Sequence, residues 1–265
     1  MKERRTRSTR TVILADRTKG IDVPEEPVPG FKRHVLAEPD DILEEAGAFR
    51  RMMEGRRSVR EFSDRDVPES VIREIIRTAG TAPSGANKQP WRFVAVRDPE
   101  IKREIRTAAE EEERLFYGGR ANEDWRNDLR AMGTNHEKPF LETAPWLIAV
   151  FKVMKDDEPG RASDQVYYVN ESVGIAVGLL LAAARVAGLV TLTHTPSPMK
   201  FLGRILGRPE QERPFILIPI GHPADDCTVP AITRKSLDRI MVIDRGSSLR
   251  PRGSTDPLPS PNPPD

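Results

Sequence analysis

The run PWLIAVFKV, residues 145–153, is apolar at nearly every successive position. A strand sends alternate side chains to opposite faces, so a strand built from this run has no polar face to turn to water. It must lie inside a sheet covered on both sides. PFILIPIG (214–221) reads the same way, and WRFVAV (91–96) and GLVTLTHT (188–195) supply further strand-like runs. The covering layers are also present in the sequence. Helical patterning runs through DDILEEAGAFRRMMEGRR (40–57), PESVIREIIRTAG (68–80), PEIKREIRTAAEEEERLFY (99–117) and NESVGIAVGLLLAAARVAGL (170–189). In the second of these, Val71, Ile72, Ile75, Ile76 and Ala79 form one apolar stripe, and Pro68 suits a helix start. Helices alternating with doubly buried strands predict an α+β fold, a mixed β-sheet flanked by helices. One late run, DRIMVID (238–244), stands apart after a proline-containing connection and is expected to pair with another subunit.

Lys and Arg number 42 against 41 Asp and Glu, so the chain has no global charge that would draw it to nucleic acid or an anionic membrane. Its single cysteine, Cys227, excludes an intrachain disulfide framework, and four histidines without an i,i+4 pair argue against a metal site. The longest apolar stretch, VGIAVGLLLAAA (173–184), is too short for a bilayer and reads as a buried helix. The basic N-terminus lacks the apolar core of a secretory signal. A reducing, cytoplasmic setting without membrane association is the expectation. Residues 1–45 are expected to form a loosely held arm, 46–245 one domain, and 246–265 a disordered Pro/Ser-rich tail.

Three clusters carry chemistry. RRSVR, Arg56 to Arg60, packs three guanidiniums and a serine into five residues, which suits bidentate phosphate binding; a solvated basic helix face is the plainer reading. APSGANKQPW (82–91) concentrates backbone-directing residues between a helix and a strand. Pro83 fixes φ, Gly85 widens the allowed dihedrals, and Ser84, Asn87 and Gln89 add polar groups; an ordinary rigid turn is the alternative. TLTHTP (191–196) places hydroxyls at the end of an apolar strand, where threonines also occur simply as good strand formers.

Taken together, RRSVR, then PSGANKQPW, and much later THT with TRK near the C-terminus resemble the nitroreductase superfamily of FMN enzymes. The resemblance covers roughly residues 49–244 and is nearest to the iodotyrosine deiodinase branch, through RTAGTAPSGA, AGLVT before THTP, and the lid described next. It implies a nitroreductase-like, domain-exchanged homodimer with FMN at the interface. By the same resemblance Arg56 and Arg57 serve the phosphate end, Ser58 and Val59 contact the cofactor, and Arg60 reaches the pyrimidine edge of the flavin. Arg234 in TRKSL matches a late phosphate-binding arginine. Pro83, Ser84 and Gly85 come from the other subunit. Thr193 and His194 flank Thr195, whose hydroxyl points to flavin N5 and supports single-electron delivery.

Between the first two core strands lies EEEERLFYGGRANEDWRNDLRAMGTNHEKPF, within a lid spanning 108–140. Glu113 and Tyr117 are four residues apart, so they share a helix face, and Lys138 follows after the GG break. An acid, a phenol and an amine converging on one point can hold an amino acid's ammonium and carboxylate. Each alone reads more simply as surface charge or packed aromatic. In the deiodinase branch a glutamate, tyrosine and lysine at this spacing close over a halogenated tyrosine, and the backbone N–H of Ala86 meets the substrate's phenolate oxygen. The chain departs from the branch in three places: His194 stands where mammalian relatives have threonine, SPMKFLG (197–203) is shorter, and KDDEPGRASDQ (155–165) is an insert-like loop. The membrane anchor typical of animal members is not expected here.

The expectation is therefore FMN-dependent reductive dehalogenation of iodo- or bromotyrosine to tyrosine and halide, with NAD(P)H or a reductase partner as electron donor. A general NAD(P)H-dependent nitro- or quinone-reductase is the rival enzyme. It would keep Arg56 to Arg60 and Ser84 but have no use for the lid triad. A protein that binds flavin or halotyrosine without turnover is the non-enzymatic alternative.

Overall fold

The computed structural model of the chain describes residues 39–120, 134–161 and 163–244. Residues 1–38 of the expected N-terminal arm, the C-terminal tail and the middle of the lid, 121–133, lie outside the described residues, while residues 39–45, expected to belong to the arm, are helical. Two compact units divide after Ala48. The first is described over residues 39–48, the opening turns of helix α1 (Pro39–Glu54). Asp40 and Asp41 in its first turn and Arg51 in its last complement the helix dipole.

The second unit contains a four-stranded sheet, β1 (Trp91–Val96), β2 (Trp146–Val153), β3 (Val190–Thr191) and β4 (Glu212–Gly221), in spatial order β1-β2-β4-β3. Every named strand pair is antiparallel. The parallel component expected of a mixed sheet is confined to one bridge, between Ser58 and Thr191. GLVTLTHT contributes only a two-residue strand; past Thr191 its contacts with β4 are the Leu192 N–H to the Pro219 carbonyl at 3.2 Å and the bridge between His194 and Leu217. DRIMVID forms no strand here. Leu237–Arg239 is a single 3₁₀ turn, and Ile240, Met241, Val242 and Ile243 are exposed.

Strand β2 is buried along its whole length except at Lys152, as its apolar run requires. Leu147, Ala149 and Phe151 enter one core with Ile105 and Ala109 of α3 (Pro99–Leu115) and Phe140 and Leu141 of α4 (Phe140–Thr143). The short helix α6 (Lys200–Ile205) closes this layer through Phe201 and Leu202. Trp146, Ile148 and Val150 enter the opposite core with Ile72, Ile75 and Ala79 of α2 (Glu69–Gly80) and Val173, Val177 and Leu180 of α5 (Val169–Val186). Each such valine, leucine, isoleucine or phenylalanine, fully buried, contributes ~1.5–3 kcal/mol. Helix α5 is longer than its apolar stretch suggested, and by length and composition alone it could cross a membrane. One side of it nevertheless packs in this core, while Ile175 and Val186 remain exposed.

Local chemistry sets the boundaries. Pro99 opens α3, and the Asp98 carboxylate accepts from the backbone N–H groups of Glu100 and Ile101 at 2.9 and 3.0 Å. Lys102, buried on α3, donates to the carbonyls of Glu142 and Ala144 at 2.7 and 2.9 Å, satisfying the end of α4. At the start of β4, Glu212 is buried and accepts from Arg92 Nε at 3.1 Å and from Arg208 Nε and Nη2 at 2.6 and 2.8 Å. These bonds, with Arg208 first, hold its carboxyl below the usual range. A depressed carboxyl stabilises the fold above the unfolded value of ~4.3 and loses that contribution as pH falls through the folded value. Glu212→Gln should therefore cost about 1–3 kcal/mol at pH 7. Thermal melts of the two proteins should converge as the pH is lowered below ~4.

Candidate active site

Helix α3 delivers the first wall of the site. Of its four consecutive glutamates, Glu110 and Glu113 turn inward, one helical turn apart, while Glu111 is exposed. Glu110 is buried, and its Oε1 accepts from the backbone N–H of Lys138 at 2.8 Å and from Arg106 Nε at 2.8 Å. That carboxylate fixes where the chain re-enters after the lid. The Lys138 side chain, 3% exposed, then lies 3.4 Å from Glu113 Oε2 and 3.4 Å from Thr134 Oγ1, and donates to the carbonyl of Asn135. After α3 the chain forms a wider turn, Phe116–Arg120, which carries Tyr117. The Tyr117 hydroxyl donates to the Thr134 carbonyl at 3.4 Å, and Lys138 Nζ lies 5.9 Å from its ring centre. The structure thus brings Glu113, Tyr117 and Lys138 together.

Burial dominates the electrostatics of this group. It pushes the Glu113 carboxyl up, against the pull of Lys138, and pushes the Lys138 ammonium down, against the pull of Glu113. It also raises the Tyr117 phenol. Desolvation is the first cause of each shift, ahead of the attraction within the pair.

The opposite wall comes from the segments beside β3. Val59 N–H donates to the Thr191 carbonyl at 3.1 Å, which places RRSVR in extended conformation rather than on a helix. Val59 itself is buried, whereas Arg60 faces the lid. Arg60, Thr193, His194 and Thr195 join Glu113, Phe116, Tyr117, Thr134 and Lys138 around one cavity of about 210 Å³. Thr193 and Thr195 are exposed and His194 is buried, the alternation of a strand. The His194 ring meets Phe140 edge-on at 5.6 Å, and its Nε2 has no hydrogen-bond partner. Burial, with Lys138 and Arg60 adding to it, lowers this imidazole to about 3, so it is neutral.

A second pocket of about 160 Å³ is lined by Gly55, Arg56, Arg57, Val59, Arg185 and Thr191. Arg234 closes on it from the late segment, donating to the carbonyls of Glu54 and Arg56 at 3.2 and 2.9 Å, and Arg57 donates to the Pro230 carbonyl. Burial first, then Arg234 and Arg57, depress the Arg56 guanidinium. Like charges held this close suit a multiply charged anion. Arg185 was not legible in sequence, since it arrives from the last turn of α5, far along the chain. It donates to the Met52 carbonyl at 3.2 Å, and a Cβ at Gly55 would sit 2.4 Å from its Nη2.

Pro83, Ser84, Gly85 and Ala86 are not among the residues lining either pocket. Their loop follows α2, whose helix packs in the other core. It is a strained structure: Ala86, Asn87 and Gln89 hold φ of +49, +51 and +48°, at ~1–3 kcal/mol each. Gln89 N–H donates to Ser84 Oγ at 2.8 Å and Asn87 N–H to the Ser84 carbonyl at 3.0 Å. Gly85 packs so closely on the next segment that a Cβ would lie 2.9 Å from Tyr167 Cβ.

The nitroreductase family pattern matches residues 53–222. The chain is 54% identical over 206 residues to an iodotyrosine deiodinase of Haliscomenobacter hydrossis, covering 78% of this chain and 93% of that one. It is 46% identical over 206 residues to iodotyrosine deiodinase 1 of Homo sapiens, covering 76% and 70%. It superposes with a TM-score of 0.63 and 29% identity on a crystal structure of oxidized iodotyrosine deiodinase bound to FMN and 3-iodo-L-tyrosine, over 75% of this chain and 99% of that one. The chain belongs to the nitroreductase family, within its iodotyrosine deiodinase branch.

Proposed function

We propose that this protein reductively dehalogenates iodo- or bromotyrosine to tyrosine and halide with FMN as its cofactor. The observation that carries this reading is the convergence of Glu113, Tyr117 and Lys138 on the same cavity as Arg60 and Thr195. A reductase of simple nitroarenes or quinones has no need of a buried acid–amine pair.

The residues fit FMN. Arg56, Arg57 and Arg234 form a cationic cradle for its phosphate, and Ser58 and Val59 continue from it towards the ring. Arg60 supplies positive charge at the cavity for the pyrimidine edge, with Thr193, His194 and Thr195 beside it. When bound, FMN supplies the two reducing equivalents that replace a carbon–halogen bond by carbon–hydrogen, and they reach it from NAD(P)H or a reductase partner. The chain's own residues bind, orient and shield. Glu113 takes the substrate ammonium, and Lys138 and Tyr117 take its carboxylate. A zwitterion thereby meets both charges of the buried pair, and it does so where water is excluded. The Thr195 hydroxyl is a donor at the exposed rim, positioned for the flavin's reactive edge. Ala86, from the partner protomer, presents its N–H to the phenolate oxygen, with Pro83, Ser84 and Gly85 against the flavin.

Two observations support a homodimer. Leu237, Ile240, Met241, Val242 and Ile243 are exposed in succession, and α5 leaves Ile175 and Val186 uncovered. These surfaces are what an exchanged C-terminal segment and a helix-to-helix contact would bury.

In fluorescence titrations of the flavin, Lys138→Gln should weaken 3-iodotyrosine binding about 10- to 100-fold, the worth of a buried charged hydrogen bond. 2-Iodophenol, which lacks the zwitterion, should bind as to the wild type, and equal losses for both would remove the lid's assigned role. Arg234→Ala should weaken FMN at least about tenfold while leaving riboflavin, which has no phosphate, nearly unaffected. Truncation after Pro230 should abolish both the dimer and the bound flavin; a truncated protein that stays dimeric and yellow would refute the exchange.

A further inference from the structure

The loop 155–165, insert-like by sequence, makes a set of contacts that the reading above does not use. The Asp156 carboxylate, 2% exposed, receives Lys88 Nζ at 2.6 Å and Arg161 Nη1 at 3.2 Å on the same oxygen. Lys88 Nζ also donates to the Ser163 carbonyl at 2.9 Å, and Arg161 Nη1 donates to the Asn87 carbonyl at 3.1 Å. The loop is closed on itself by Asp156 N–H to the Asp164 carbonyl at 2.7 Å and by Glu158 N–H to Asp156 Oδ1 at 3.1 Å. Asp157 pairs with Arg92 of β1, and the two targets of Asp156 and Arg161 outside the loop, Lys88 and Asn87, immediately follow Ala86.

We propose that Asp156 and Arg161 are positioning residues that hold the Ala86–Asn87 turn in its left-handed conformation and thereby set the enzyme's selectivity for a phenol oxygen on its substrate. The physical need is plain. Alanine and asparagine do not stay at φ near +50° unless their surroundings over-determine them. Contacts from Ser84 fix the turn from within, and Gly85 is fixed by its approach to Tyr167. The carbonyl of Asn87 and the side chain of Lys88 are fixed from outside, by one buried carboxylate and one guanidinium. Ala86 is exposed, so nothing from the core holds it. A turn free to relax would swing the Ala86 N–H away from the oxygen it is to meet. The inference rests on the proposed contact between that N–H and the phenolate.

The test uses the full-length, FMN-loaded protein, titrated through flavin fluorescence with 3-iodotyrosine and with 3-iodophenylalanine, which keeps the zwitterion and halogen but lacks the phenol oxygen. Wild type should prefer 3-iodotyrosine. In Arg161→Ala, affinity for 3-iodotyrosine should fall about tenfold and affinity for 3-iodophenylalanine should change by less than about twofold. Arg161→Lys should recover most of the loss, and Asp156→Asn, close in shape, should reproduce the selective loss. Equal weakening of both ligands, or none, overturns the positioning role while the wild-type preference keeps the phenolate contact. A wild type that binds the two ligands equally overturns the phenolate contact itself, and the inference with it.

Discussion

Strand β2 is apolar on both faces, and that single constraint arranges the molecule. Leu147, Ala149 and Phe151 demand one helical layer, and Trp146, Ile148 and Val150 demand another. The first layer contains α3, whose far end runs on into the lid. The second contains α2, whose far end runs on into the loop of Ser84 to Gln89. The two segments to which the proposed reading assigns the substrate contacts thus grow from opposite sides of one sheet. Neither could be moved to join the other without exposing a face of β2 to water.

Charge placement follows the same economy. Glu110, Glu113 and Lys138 are ionisable groups taken out of water at the base of the lid, an arrangement that costs stability unless each finds partners. Glu110 is fully engaged, by the Lys138 amide and two arginines, and acts as a structural anchor. Glu113 and Lys138 are paired with each other, and burial shifts them in opposite directions. On the proposed reading, a site built this way spends fold stability on readiness for a ligand that carries both charges. The arginine pocket repeats the logic with a single sign, gathering Arg56, Arg57 and Arg234 where only an anion relieves them.

Much of this was readable in the sequence, for physical reasons. Apolar runs bounded by turn residues revealed β1, β2 and β4, and period-3.6 patterns the four longer helices, since β2 is buried on both faces and α2, α3 and α5 present apolar residues to a core. The one-turn α4 and the short α6 escaped because neither is long enough to show a period. DRIMVID had strand composition but finds no strand to pair with among the described residues, and composition cannot supply a partner. The resemblance to the deiodinase branch, through its spacing, pointed to Glu113, Tyr117 and Lys138. It missed Glu110, because four identical residues in a row do not reveal which of them face inward, although the i,i+3 relation to Glu113 was available as a signal. Arg185 and Asp156 reach their targets from distant parts of the chain, and local patterns contain no trace of such contacts.

The separation of the loop from the lid within one chain has a genetic consequence. On the proposed reading, each catalytic centre takes its lid from one polypeptide and its Pro83–Ala86 turn from the other. A subunit damaged only in the lid and a subunit damaged only in the turn are each inactive as pure assemblies. In their mixed dimer both lesions fall on the same centre, and the remaining centre is built entirely from intact parts. Two defective alleles would thus complement one another, to at most one working centre per mixed pair.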